Sequence, residues 1–288
     1  MRTIRGPWTF LALGLALTAC ASATPPLSSN DTTAPNFPSG RTDVVIRVDS
    51  CCGFTAPEYQ LGLVPSVTIY GDGRVVTTGS AEPSFPAPGP AYLPLSTGHL
   101  DRSEIVALLN RALHDRLVRP RSFGRPGIAD MPTTTVTITT DAQHLQRVYA
   151  LDATFPHGDP GLTAEQRGAR TALRKFIHAV QTIGTTRAKL AYEPSEIAVY
   201  ARAHLGNATT NPQAVLTWPL ADLATSGASL AGAPTGGIGF RCTVFAGTDA
   251  STVLAAATNS TRQTVWTSGG ADFDLTFRPL LPDEHACP

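Results

Sequence analysis

The chain has 288 residues, 42% of them hydrophobic and 15% charged, with 22 basic side chains balanced by 22 acidic ones. This leaves enough apolar content for folded cores, excludes a disordered chain, and argues against a nucleic-acid-binding surface, which needs a basic excess. One large or two modest domains are expected.

Residues 1–20 read as an export signal. Arg2 and Arg5 precede Trp8–Leu17 (WTFLALGLAL), an uncharged apolar run of about ten residues. That is the length of a signal-peptide core and about half of a bilayer span. The run closes in Leu17-Thr18-Ala19-Cys20, which resembles the lipobox of bacterial lipoproteins. The resemblance implies a diacylglycerol thioether on Cys20, which becomes the new N-terminus. Two acyl chains anchor stably where one gives only marginal membrane binding. An ordinary signal peptide needs no cysteine at its boundary, which favours the lipobox over a cleavage nearby that leaves Cys20 incidental. No later run approaches the length of a bilayer span, so the expectation is a soluble extracytoplasmic body held at the cell membrane through Cys20. Loss of Arg2 and Arg5 leaves 20 basic against 22 acidic residues.

Residues 21–41 are rich in Ser, Thr, Pro and Asn with no hydrophobic period, and read as a flexible tether. A coil of this length spans about 25 Å on average. Alternation of Val44, Ile46 and Val48 predicts a strand over 43–49. Val67 and Ile69, then Gly71-Asp72-Gly73, then Val75 and Val76 predict a hairpin, with Asp72 a turn residue rather than a cation ligand. A proline-rich loop follows over 80–94. Asp101 with Glu104 forms a capping box, Leu100 and Ile105 a hydrophobic staple, and Ile105, Leu108, Leu109, Ala112 and Leu113 an apolar helical face. Thr133–Thr140 is a β-branched strand that turns at 141–144 and returns through Val148. Thr163 and Gln166 cap a second helix carrying Leu173, Phe176, Ile177 and Val180 to Gly184.

This order predicts an α+β domain over 42–190, an antiparallel sheet with helices on one face. From 191 to 288 a smaller α+β unit is expected. Its strands hold Ile197 and Val199, then 215–218, then 240–245; a helix covers 248–259, and a last strand places Phe273, Leu275 and Phe277 on one face. The segments SVTIYGDGRVV, DMPTTTVTI, YEPSEIAVY, WTSGG and FRPLLPDEHAC together resemble a group of uncharacterised bacterial secreted lipoproteins. The first half is similar to a domain family of unknown function. The resemblance supports two α+β units and the lipidated cysteine, and implies no catalytic residue, cofactor or metal.

Among candidate sites, the seven histidines show no close metal-ligand spacing, and His178 lies off the apolar face of its helix. Asp272 and Asp274 share a strand face and could act as paired carboxylates, although a half-solvated strand shows the same pattern. Asp283 and Glu284 read as surface charges, Asp130 as a turn cap, and Trp218, Trp266, Phe240 and Phe245 as core. Cys51, Cys52, Cys242 and Cys287 follow Cys20, in a compartment that permits disulfides. Their placement predicts a Cys242–Cys287 bond within the second unit. Cys51 and Cys52 remain as a vicinal pair or free thiols, with soft-metal binding a weaker reading. The function expected is binding or structural display at the cell envelope, toward an unknown ligand or protein and not nucleic acid. The alternative is an envelope enzyme with a site built from dispersed carboxylates or histidines.

Overall fold

A computed structural model describes residues 34–78, 89–153, 161–206, 214–230 and 239–287. Residues 1–33, on which the expected export signal, Cys20 and most of the expected tether fall, and most of the proline-rich loop lie outside them. Residues 34–288 form one compact unit built on two sheets, of α+β class.

The first region comprises β1 (Val44–Cys51), α1 (Pro57–Leu61), β2 (Val67–Tyr70), β3 (Arg74–Thr78), β4 (Leu95–His99), α2 (Arg102–His114), β5 (Thr133–Thr139), β6 (Gln143–Tyr149), α3 (Ala164–Arg187) and β7 (Leu190–Ala191). Its strands are ordered β6-β5-β1-β2-β3-β4-β7, every pair antiparallel. Gly73 turns the β2–β3 hairpin at φ +92°, and Asp72 accepts from the Arg74 N–H at 3.0 Å, as a turn aspartate should. Both helices begin at the expected caps: Asp101 N donates to Glu104 at 2.9 Å, and Thr163 and Gln166 bond reciprocally at 2.9 and 3.2 Å.

Ile105 and Leu109 of α2, with Leu173, Phe176 and Val180 of α3, bury against Ile46, Val48, Val67 and Ile69. Gly184 lets α3 sit close, since a Cβ there would lie 3.0 Å from Val67 and 3.1 Å from Thr77. Two expectations need correction. A register shift between Val44 and Ile46 puts Val45 with Ile46 in this core and turns Val44 to the opposite face, breaking the simple alternation. Phe37 is also buried in this core beneath the Arg102 guanidinium, so the chain joins the body before residue 41.

The second region comprises β8 (Glu196–Ala203), β9 (Val215–Thr217), β10 (Ala228–Leu230), β11 (Phe240–Ala246), α4 (Gly247–Thr258), β12 (Val265–Ser268) and β13 (Ala271–Pro279), with sheet order β10-β11-β8-β13-β12-β9. One pair, β9 with β12, is parallel. On one face α4 packs over Ile197, Val199 and Phe277. There Trp218 meets Phe245 and Trp266 at 5.8 Å, tilted or edge-on, as core aromatics do.

The two remaining sheet faces look toward each other across a seam filled by α1 and the C-terminal segment. Leu61 and Leu280 pack with Ala198, Tyr200 and Phe240 of the second sheet, while Val64 and Leu281 pack with Tyr70, Val76 and Leu95 of the first. Consecutive leucines thus enter two different cores. Asp283 and Glu284 are not surface charges. Asp283 accepts from Arg47 at 2.6 Å and from Tyr70 Oη at 2.8 Å, and Glu284 takes both terminal nitrogens of Arg278 at 2.9 Å. Arg278 Nε donates to the Leu63 carbonyl at 2.7 Å. The FRPLLPDE stretch is therefore the clasp between the sheets.

Candidate functional site

The seam encloses a cavity of about 460 Å³, within the range of small-molecule sites. Its walls come from α1 and the turn after it, from the second sheet, and from two loops zipped together by the Pro90–Thr261 bridge. Leu63, Val64, Leu93 and Phe240 supply apolar surface; Glu58, Arg202, His204 and Asp274 line it with charge.

The charged groups are placed by strand register. Arg202 on β8 stands directly across from Asp274 on β13, a cross-strand pair of opposite charge. Arg202 Nε donates to Asp274 Oδ2 at 3.1 Å, and its Nη1 lies 3.6 Å from Glu58 of α1. The guanidinium stacks 5.7 Å above the Phe240 ring. His204, one residue past β8, continues the ladder by donating its N–H to the Asp272 carbonyl at 2.9 Å. Its Nδ1 meets Asp274 Oδ1 at 2.7 Å. An ionised carboxylate only accepts, so Nδ1 carries the hydrogen and Nε2 is the ring nitrogen free for other contacts. Both Asp274 oxygens are engaged, which fixes the imidazole plane. Opposite, Arg262 in the α4–β12 loop lies 5.4 Å over the Tyr59 ring.

Asp272 is exposed and Asp274 half-buried, as a half-solvated strand face implies, and Asp274 pairs with Arg202 and His204 rather than with Asp272. The two carboxylates therefore do not form a joint acid/base pair. His178 is exposed, as its place on α3 implied. Asp130 sits in a turn at φ +59°, its carbonyl accepting from Phe54 N at 3.0 Å. Sequence reasoning missed Glu58, Tyr59, Arg202, His204 and Arg262. The one local signal was the polar face of the last strand.

Cys242 and Cys287 are disulfide-bonded, with Cα atoms 6.2 Å apart, closing the second sheet onto the C-terminal segment. Cys51 and Cys52 are free and exposed at the end of β1. Partial burial of its sulfur and the neighbouring Cys52 thiol push the Cys51 thiol up to about 11, which disfavours the nucleophilic thiolate. Among the described residues no group of three or more His, Cys, Asp or Glu side chains is placed to hold a metal ion, and no helix is long and apolar enough to cross a membrane.

These observations define a two-sheet α+β body with a ligand-sized chamber in its seam. No family model matches the sequence, and no curated protein and no solved structure matches it.

Proposed function

We propose that the protein is a lipid-anchored protein of the extracytoplasmic envelope whose body binds a small amphipathic molecule in the seam cavity. The lipobox at Cys20 supports the anchor. The observation that carries the binding reading is the cavity itself: apolar walls, with a polar end oriented before any ligand arrives. Binding of a neutral apolar fluorophore, N-phenyl-1-naphthylamine, tests it. Leu93→Trp, which fills the chamber, should weaken that binding at least about tenfold, with little change in the unfolding temperature. Equal binding by both forms would overturn the reading. For the anchor, Cys20→Ala should release the protein from membranes washed at high salt.

The second reading, an envelope enzyme, is favoured by the His204–Asp274 pair. A carboxylate holding Nδ1 leaves Nε2 as a base at the cavity wall, an arrangement shared with nucleophile-activating histidines. His204→Asn separates the two readings: retained fluorophore binding with lost turnover on a candidate substrate points to catalysis.

A further inference from the structure

The balanced total charge conceals an uneven distribution. Between Arg116 and Lys175 the described residues hold nine basic side chains against four acidic ones, Asp130, Asp141, Asp152 and Glu165. Six of the cations, Arg116, Arg119, Arg125, Arg147, Arg167 and Lys175, are exposed. None has a carboxylate within ion-pair distance among the described residues, whereas Arg47, Arg74, Arg187, Arg202 and Arg278 all do.

At one corner of the first region the α2–β5 connection, which carries Arg116, Arg119 and Arg125, packs against β6, which carries Arg147, and against the start of α3, the helix that carries Arg167 and Lys175. The α2–β5 connection is tied to edge strand β6 by Gln146, which donates to the Leu117 and Arg119 carbonyls at 2.6 and 3.0 Å. It is tied to the start of α3 by Gln166, which donates to Ser122 at 3.1 Å, and by Arg170, which donates to the Phe123 carbonyl at 3.3 Å. Arg125 stacks 4.0 Å over Tyr149 of β6. Leu145, 49% exposed, stands two residues from Arg147 on the outward side of that strand, and Leu113 in the last turn of α2 is 42% exposed. Arg147 on an edge strand also discourages pairing with another chain. On the connection and α3, Arg125 stacks on Tyr149 and Arg167 donates to the Leu162 carbonyl, while no side-chain partner is shown for Arg116, Arg119 and Lys175 among the described residues.

We propose that this corner is a membrane-contact surface that meets anionic lipid headgroups, and the inference rests on the reading that Cys20 anchors the chain at a bilayer. Unpaired arginines interspersed with exposed leucines complement an anionic leaflet, the guanidiniums meeting phosphates and the leucines the interfacial zone. A lipid tether keeps the body within reach of the surface, so a weak attraction suffices to orient it.

The test is hydrogen exchange on the full acylated chain bound to vesicles of phosphatidylcholine alone or with about one-third phosphatidylglycerol. Peptides covering 116–125 and 143–149 should exchange several-fold more slowly on the anionic vesicles only. The difference should disappear at about 0.5 M salt, where screening shortens the reach of charge to a few ångströms. In the Arg119→Glu, Arg147→Glu, Lys175→Glu chain, whose substituted side chains hold no structural hydrogen bond, exchange should be equal on both vesicles. Equal exchange of the unmodified chain on both, or protection that survives salt or the triple substitution, overturns the proposal. So does stronger protection by a short DNA duplex, which would assign the corner to a polyanion. A chain that leaves neutral vesicles refutes the anchor, and a preference for anionic vesicles in that case still supports the surface.

Discussion

The first sheet is covered by helices of 13 and 24 residues that bury Ile105, Leu108, Leu109, Leu173, Phe176, Ile177 and Val180. The second carries one helix of 12 residues whose buried side chains are Ala250, Val253 and Ala257. The large core rests on helix-to-sheet burial, at about 25 cal/mol per Å² of apolar surface removed from water. The smaller one adds an aromatic cluster and a covalent bond, the means by which domains short of apolar area are commonly reinforced. Stability should therefore be distributed unevenly, with the second region dependent on a few specific links.

The largest effect should come from removing the Cys242–Cys287 bond. It spans 45 residues, and the chain-entropy relation for a loop of that size gives about 4 kcal/mol. Trp218 and Trp266 both lie in the second region, so in a chain prepared without residues 1–20, and hence without Trp8, tryptophan fluorescence reports that region alone, while helix ellipticity is dominated by α2 and α3. In Cys242→Ser with Cys287→Ser, the fluorescence transition should move to lower denaturant than the ellipticity transition. Coincident transitions shifted by under about 1 kcal/mol would show that the two regions do not differ in this way.

Next comes the clasp. The Arg278 side chain is 6% exposed and its carboxylate partner Glu284 15%. Glu284→Ala leaves a buried guanidinium with its Leu63 carbonyl contact and no counter-charge, a loss of about 3 kcal/mol. Because Leu280 and Leu281 plug different sheets, this substitution should also lower cooperativity between the regions. Differential scanning calorimetry reads both, and one undivided transition at the original temperature would refute the clasp.

Much of this architecture was legible from local patterns. The capping boxes at Asp101 and Thr163 located both long helices, and Val67–Val76 located the hairpin, because those signals lie within a few residues of each other. β4 (LSTGH), the two residues of β7 and the three of β10 have no apolar period, and pair because neighbouring strands offer their edges. The polar end of the cavity was invisible for a related reason. Glu58, Arg202, Asp274 and Arg262 come from four separate segments, and none has a neighbour in sequence that hints at the others. Asp283 looked solvated because its partner Arg47 lies 236 positions away. The cysteine pairing was legible because Cys242 lies within a strand of the second sheet and Cys287 follows the last strand of the same sheet.

A third effect separates the seam from the helix-covered core. Burial raises the phenols of Tyr70, Tyr192 and Tyr200 above their ordinary value, the last two to about 12, and all three sit along the seam. Their folded forms stay protonated while the unfolded chain ionises above about pH 10. The stability they provide is complete below that point and declines as pH rises from there through the folded values, by up to about 1.4 kcal/mol per pH unit for each phenol. Alkaline unfolding should therefore open the seam first. Tyr70→Phe removes one such group and should flatten the decline between pH 10 and 12, measured by denaturant midpoint; an unchanged slope would place the alkaline weakness elsewhere.

The smallest effect lies on the outside of the first region, where Arg187 at the end of α3 donates to Glu104 in the first turn of α2 at 3.0 and 2.5 Å. That hydrogen bond, and then the Asp101 N–H, hold the Glu104 carboxyl below its ordinary value. A lowered carboxyl contributes stability above its unfolded value of about 4.3, and the contribution is lost as pH falls through the lower folded value. The pair is solvent-accessible, so its effect is screened, and the large core beneath it does not depend on it. Glu104→Gln should lower the unfolding temperature slightly at pH 7 in low salt, and the gap should close both in 1 M salt and at about pH 3. A gap that persists at pH 3 would mean that the substitution disturbs the α2 cap rather than an ion pair. The first region would then depend on its links as the second does, and the contrast between the two would narrow.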